Sequence, residues 1–218
     1  MIHIRKTLRE IPLAYVIYRR VKTIHNSIWG RVKFRYLVKT MPSLRIVVGA
    51  SGYCDQGWIP TDIENLNIIK SDHWMKYFLP NSIDAILAEH VWEHLTYEEG
   101  ISAAENCFHY LKHGGFLRIA VPDGNHPLKD YIDLVKVGGD GVGASDHKVL
   151  YDYKSLCEPL ANAGFILKLL EYFDDNGNFH CEDWNPKHGM IFRSANFDKR
   201  NLDGNLTYTS LIIDAYKE

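Results

Sequence analysis

A chain of 218 residues suits one full-sized α/β domain better than two complete ones. Its 46% apolar content is enough to bury a core, and a formal net charge of −2 gives no global pull toward nucleic acid or a membrane surface. The charge is unevenly spread: residues 1–40 hold ten of the 25 Lys/Arg and one of the 27 Asp/Glu, so a basic arm of +9 precedes a body of −11.

Four cysteines, Cys54, Cys107, Cys157 and Cys181, share no CxxC spacing. They read as reduced thiols of a cytoplasmic protein, not as a disulfide framework or a zinc knuckle. The run IPLAYVIY is eight residues between charged clusters with no small-residue cleavage site after it, so it reads as neither a signal peptide nor a bilayer span.

In chain order, residues 5–38 read as one or two basic amphipathic helices, and residues 1–40 as an extension preceding a domain over 41–218. SLRIVVGAS is a buried strand by its apolar, β-branched run; GWIPTDI is a second, LNIIKSD a short third and NSIDAILAEHV a fourth. Thr96 and Glu99 form a T-x-x-E capping box that opens a helix with Ile101, Ala104, Cys107, Phe108 and Leu111 on one face, stopping at Gly114-Gly115. FLRIAVPD is a fifth strand. A short helix, Pro127–Val137, ends at Gly138-Gly139, and the loop DGVGASDH leads to a helix near Lys154–Ala163. FILKLLEYF is a sixth strand, residues 174–190 a polar loop, and LTYTSLIIDAYK the last strand. Strands alternating with helices predict a mostly parallel seven-stranded sheet. The final two strands have no helix between them, which predicts an antiparallel hairpin at one edge.

Acidic residues at strand ends (Asp62, Asp72, Glu89, Asp123) and the glycine turn Gly49-Ala50-Ser51-Gly52 point to a ligand site at the carboxyl ends of the strands. A dinucleotide fingerprint needs a third glycine and an acid about twenty residues on, whereas Asp62 follows Gly49 by 13 residues. A P-loop needs Lys-Ser/Thr after its second glycine, where Tyr53-Cys54 stands.

The ordered set LRIVVGASG, GWIPTDI, SDHW, PNSIDAILAEHVWEHLTYEEG and FHYLKHGGFLRIAVPD resembles the class I S-adenosylmethionine-dependent methyltransferases, over about residues 44–170. It looks most like the compact type-11 branch associated with surface-polysaccharide and natural-product pathways, and the ending RSANFDKRN…TSLIIDAYK is similar to that branch too. The resemblance implies a Rossmann-like fold that binds S-adenosylmethionine and releases S-adenosylhomocysteine. Gly49, Ala50, Ser51 and Gly52 would form the turn at the methionine moiety, where glycine avoids a Cβ clash. Asp62, with Ile63 beside it, would accept both ribose hydroxyls. Asp72 would take the adenine amino group, with His73 or Trp74 beside the ring, and Glu89 and His90 would border the methionine end. The chain departs from the family where Ala50-Ser51 replaces Cys-Gly, and where the link from Gly52 to Trp58 is too short for an ordinary crossover helix.

Methyl transfer from a sulfonium mainly requires alignment and exclusion of water, with a base for a hydroxyl acceptor. His90, His94, Asp123 and His147 are the catalytic candidates. His90, Glu93 and His94 stand at i, i+3 and i+4, one face of a helical turn. The resemblance implies no metal; the alternative is a divalent ion on His90, Glu93, His94 and His147, since small-RNA 2′-O-methyltransferases carry a similar E-x-x-E-H arrangement. Asp123 is equally a Pro-Asp-Gly turn residue, and a lone loop histidine such as His147 is more often just solvated. The expected acceptor is an oxygen of a glycan, a sugar nucleotide or a related small molecule; an acidic body argues against nucleic acid. The basic arm reads as a solvated face, a lid, or a peripheral contact with the inner face of a membrane. A cofactor-binding subunit without catalysis is the further alternative.

Overall fold

The computed structural model describes residues 30–51, 54–201 and 203–218. Gly52 and residues 1–29 of the basic arm lie outside the described residues. Residues 30–40 are helical (α1). Its apolar positions Phe34, Leu37, Val38 and Met41 follow i, i+3, i+4, i+7 and pack on the core, with Phe34 only 2% exposed and its ring 4.9 Å from that of Tyr77. Arg31, Lys33, Arg35 and Lys39 face solvent.

The strands are β1 (Arg45–Val48), β2 (Ile59–Pro60), β3 (Ile83–Glu89), β4 (Leu111–Pro122), β5 (Ile166–Phe173), β6 (Phe179–Cys181) and β7 (Ser210–Tyr216). They form one seven-stranded sheet in the order β2-β1-β3-β4-β7-β5-β6. β1 pairs parallel with β2 and β3, and β3 parallel with β4. β7 is antiparallel to both β4 and β5, and β6 antiparallel to β5. Five strands thus share a direction, as a Rossmann-like α/β fold requires. The predicted β5–β7 antiparallel pair forms, but inside the sheet: β7 inserts between β4 and β5. Seven registered residue pairs link it to β4, and burying Leu211, Ile212 and Ile213 completely is what holds this apolar strand away from an edge.

The remaining helices are α2 (Ser71–Met75), α3 (Tyr97–Tyr110), α4 (Lys129–Val135) and α5 (Tyr153–Asn162). The capping box at Thr96 forms in full. The helix it opens ends at Tyr110, before the predicted Gly114-Gly115 stop, and buries Gly100, Ala103, Ala104 and Cys107. Asp152 and Ser155 make a second capping box on α5.

Two expectations change. LNIIKSD is no strand: Asn67 accepts the Ile69 amide, and the Ile68 carbonyl accepts Trp74 Nε1 at 3.0 Å and Asn106 Nδ2 at 2.9 Å. Side chains satisfy this backbone, so it does not join a ladder and leads into α2. The polar loop 174–190 contains the edge strand β6. The first crossover is reduced as expected, with turns and no helix among described residues 49–51 and 54–58.

The sheet faces differ. Ile46, Val48, Ile86, Ala88, Leu211 and Ile213 bury one face under α2, α3 and α5. On the other, Val47, Leu87, Ala120 and Ile212 meet Trp58, Ile191 and Trp184. The segment around 184–201 therefore covers the face that the missing crossover helix leaves open. Arg118 and Asp214 lie there, 1% and 3% exposed, joined through Nε–Oδ1 at 2.7 Å and Nη2–Oδ2 at 2.8 Å.

Candidate functional site

The chain runs from β1 out to β2 on one side, then returns to place β3 on the other. The sheet's switch point therefore lies between the carboxyl ends of β1 and β3, where open α/β sheets bind ligands. Two adjoining clefts of about 370 and 540 Å³ open there, in the size range of small-molecule sites. Val48, Gly49, Ser51, His90 and His94 line both.

The glycine turn follows β1. Gly49 has φ +64°, and a Cβ there would come within 2.6 Å of Val91 Cγ2, so only glycine lets the turn close on the β3 end. Ser51 also has positive φ. Its amide donates to Asp62 Oδ1 at 3.0 Å, and among the described residues Oδ2 accepts no hydrogen bond. One carboxylate oxygen pins the turn. Ala50 and Ser51 line the first cleft and Ile63 the second, where its side chain is 68% exposed.

Glu89 ends β3, lines the first cleft and accepts the Arg193 amide at 2.8 Å. His90 follows with φ +55°. Ser210 Oγ donates to the Arg193 carbonyl at 2.7 Å, so it accepts from His90 Nε2–H at 3.0 Å. His90 Nδ1 stands 3.0 Å from Glu93 Oε1 without hydrogen-bond alignment, and neither Glu93 oxygen accepts a hydrogen bond from the described residues. Glu93 is nevertheless 1% exposed. His94 is on the same turn (Trp92–His94), and the loop before α5 brings His147 against it, their rings 4.9 Å apart. Among the described residues, Glu93, His94 and His147 form a cluster able to hold a metal ion, their ligating atoms within 4.8 Å of one another.

Five expected residues stand outside the cleft linings: Asp62, which reaches them only through its bond to Ser51, and four more. Asp72 and His73 are on α2, Asp72 exposed and His73 accepting the Asn67 amide through Nδ1 at 3.2 Å. Trp74 is fully buried, stacked on Tyr110. Asp123 is 0% exposed and acts as a clamp: Oδ1 accepts Asn125 N–H at 2.9 Å and Oδ2 accepts Phe173 N–H at 2.8 Å. Burial pushes its pKa up to about 6 despite these two donors. Burial likewise pushes His126 down to about 4.

Other lining residues were not expected from the sequence. Asn67, Ile68 and Ile69 line the second cleft, and Trp58, Val142, Met190, Phe192 and Arg193 the first. Arg193 lies 104 residues beyond Glu89, a separation at which local spacing carries no signal.

No family model matches the chain, and no curated protein does. Many solved structures are similar to it. One is a SAM-dependent methyltransferase from Archaeoglobus fulgidus, 15% identical, covering 88% of this chain and 94% of that one at a TM-score of 0.49. Another is a SAM-dependent methyltransferase from Thermotoga maritima described as a possible histamine N-methyltransferase, 13% identical over 93% and 96%, TM-score 0.48. A third, an S-adenosylmethionine-dependent methyltransferase from Mesorhizobium loti, is 12% identical over 85% and 96%, TM-score 0.48. At these identities the likeness concerns the fold and says nothing of what this chain binds.

Proposed function

We propose that this chain is an S-adenosylmethionine-dependent methyltransferase acting on an oxygen of a glycan, a sugar nucleotide or a related small molecule. The observation that carries the reading is the position of the clefts at the β1/β3 switch point, lined by the glycine turn that Asp62 fixes through one oxygen, its other oxygen accepting no bond from the described residues. A carboxylate oxygen that accepts nothing from the described residues suits a ribose hydroxyl. Bound there, the cofactor supplies an electrophilic methyl group. The protein's part is to hold the turn, align the acceptor in the first cleft and keep water out. The acceptor class rests on the sequence resemblance alone.

Of the four catalytic candidates, His90, His94 and His147 border the first cleft and are the groups we assign to the acceptor end. Asp123 serves as the clamp between the ends of β4 and β5. The basic arm, of which α1 is the described part, we read as a solvated face; among the described residues no helix is long and apolar enough to cross a membrane.

Calorimetry with S-adenosylmethionine on the wild type and Asp62→Ala tests the reading. The wild type is expected to bind in the micromolar range, and the substitution to weaken binding by more than about tenfold, the loss of a charge-assisted hydrogen bond. No binding by the wild type sinks the proposed activity; equal binding by both proteins sinks the assignment of Asp62.

A further inference from the structure

We propose that Glu93, His94 and His147 form a site for one divalent metal ion of the kind imidazole prefers, such as Zn²⁺ or Fe²⁺, in the wall of the first cleft. The inference goes beyond the methyltransferase reading and does not depend on it.

Three observations carry it. Glu93 is 1% exposed, yet both its carboxylate oxygens lack a hydrogen-bond donor among the described residues. A buried carboxylate without donors is costly unless a cation or proton compensates it. The nearest nitrogen does not supply a donor: His90 Nε2 is engaged with Ser210, and His90 Nδ1, 3.0 Å from Glu93 Oε1, is not aligned for a hydrogen bond. Finally, the other two histidines are oriented as ligands. His147 Nδ1 donates to the Val135 carbonyl at 2.7 Å, and His94 Nδ1 faces the Asp146 carbonyl at 3.4 Å and the Asp146 carboxylate at 3.5 Å. Each arrangement leaves Nε2 for a metal, the tautomer that second-shell acceptors commonly fix.

The ligating atoms lie within 4.8 Å of one another. Tetrahedral ligands at Zn–N distances of about 2.1 Å sit about 3.4 Å apart, so closure needs a movement on the order of 1 Å. His94 can supply it because its side chain is 32% exposed, while His147 is held by the Val135 carbonyl. Two imidazoles and one carboxylate favour a transition ion over Mg²⁺ or Ca²⁺, which prefer all-oxygen shells. Three protein ligands also leave open coordination positions facing the cleft.

The test uses the full chain stripped with a chelator, without S-adenosylmethionine or acceptor. Titration with Co²⁺, read by its ligand-field absorption, is expected to saturate at one ion per chain, with Zn²⁺ displacing it and Mg²⁺ leaving it in place. Glu93→Gln and His94→Gln should each weaken Co²⁺ binding by more than about tenfold, while His113→Gln, at an exposed position of β4, should not. Because Glu93 is buried, near-ultraviolet circular dichroism checks its variant, and the partly exposed His94→Gln keeps the test decisive if Glu93→Gln misfolds. Absence of saturable Co²⁺ and Zn²⁺ binding, or equal binding by wild type and His94→Gln, overturns the proposal. Displacement by Mg²⁺ at equal concentration overturns the choice of ion.

Discussion

Gly49 shows how a single residue couples the turn to the site. Its φ of +64° lies in the left-handed region, and an added Cβ would meet Val91 Cγ2 at 2.6 Å. Gly49→Ala should cost about 1–2 kcal/mol from the backbone conformation alone, with the steric clash in addition. The double variant Gly49→Ala/Val91→Ala removes the methyl that is hit, so it should recover the steric part and leave the backbone part, measured as urea midpoints of the single and double variants. Recovery of nothing would show that Val91 is not what the turn packs against. The residue's identity was legible in the sequence as part of a glycine turn; its reason was not, because Val91 is brought there by the end of β3.

At the scale of elements, the face beneath residues 184–201 is held by a polar staple. Arg118 on β4 binds both oxygens of Asp214 on β7, and its Nη1 donates to the Gly189 carbonyl at 2.7 Å. The guanidinium also lies 4.8 Å from the Trp184 ring. Arg118→Met leaves Asp214 charged and buried, and should cost about 3–5 kcal/mol in denaturant unfolding. Converting both partners, Arg118→Met/Asp214→Leu, removes the orphaned charge and should be less damaging than the single change. A double variant as unstable as the single one would mean that the bond to the 185–189 turn, not the ion pair, matters most. This staple replaces what a crossover helix would contribute: the short β1–β2 link leaves the face open, and a distant loop closes it and lends Met190, Phe192 and Arg193 to the first cleft.

For the whole molecule, Asp123 sets a pH dependence. Its folded pKa, raised by burial from 3.8 to about 6, means the folded chain keeps a proton that the unfolded chain has lost between those values. The stabilisation is therefore complete below about pH 4 and is lost as pH rises through about 6, on the order of 2–3 kcal/mol in all. Asp123→Asn has no such titration, and its amide leaves one of the two backbone donors unsatisfied. Urea midpoints at pH 5 and pH 7.5 should show the wild type losing stability relative to the variant as pH rises. A constant difference between the two proteins would refute it.

What the sequence determined by itself is local. The apolar runs gave β1, β3, β4, β5 and β7; the Thr96–Glu99 spacing gave the start of α3; the glycine turn and Asp62 marked one end of the site. Each of these signals acts over a few residues, because caps, turns and strand alternation are satisfied by near neighbours. LNIIKSD misled for the same reason: its composition suits a strand, but Trp74 and Asn106 take the Ile68 carbonyl. Only the tertiary structure decided that β7 lies between β4 and β5, that Asp72 and Asp123 stand outside the cleft linings, and that His147 meets Glu93 and His94. These depend on which strand edge is open and which loop covers which face. Burial and hydrogen-bond satisfaction settle that across the whole chain, over separations at which sequence spacing carries no information.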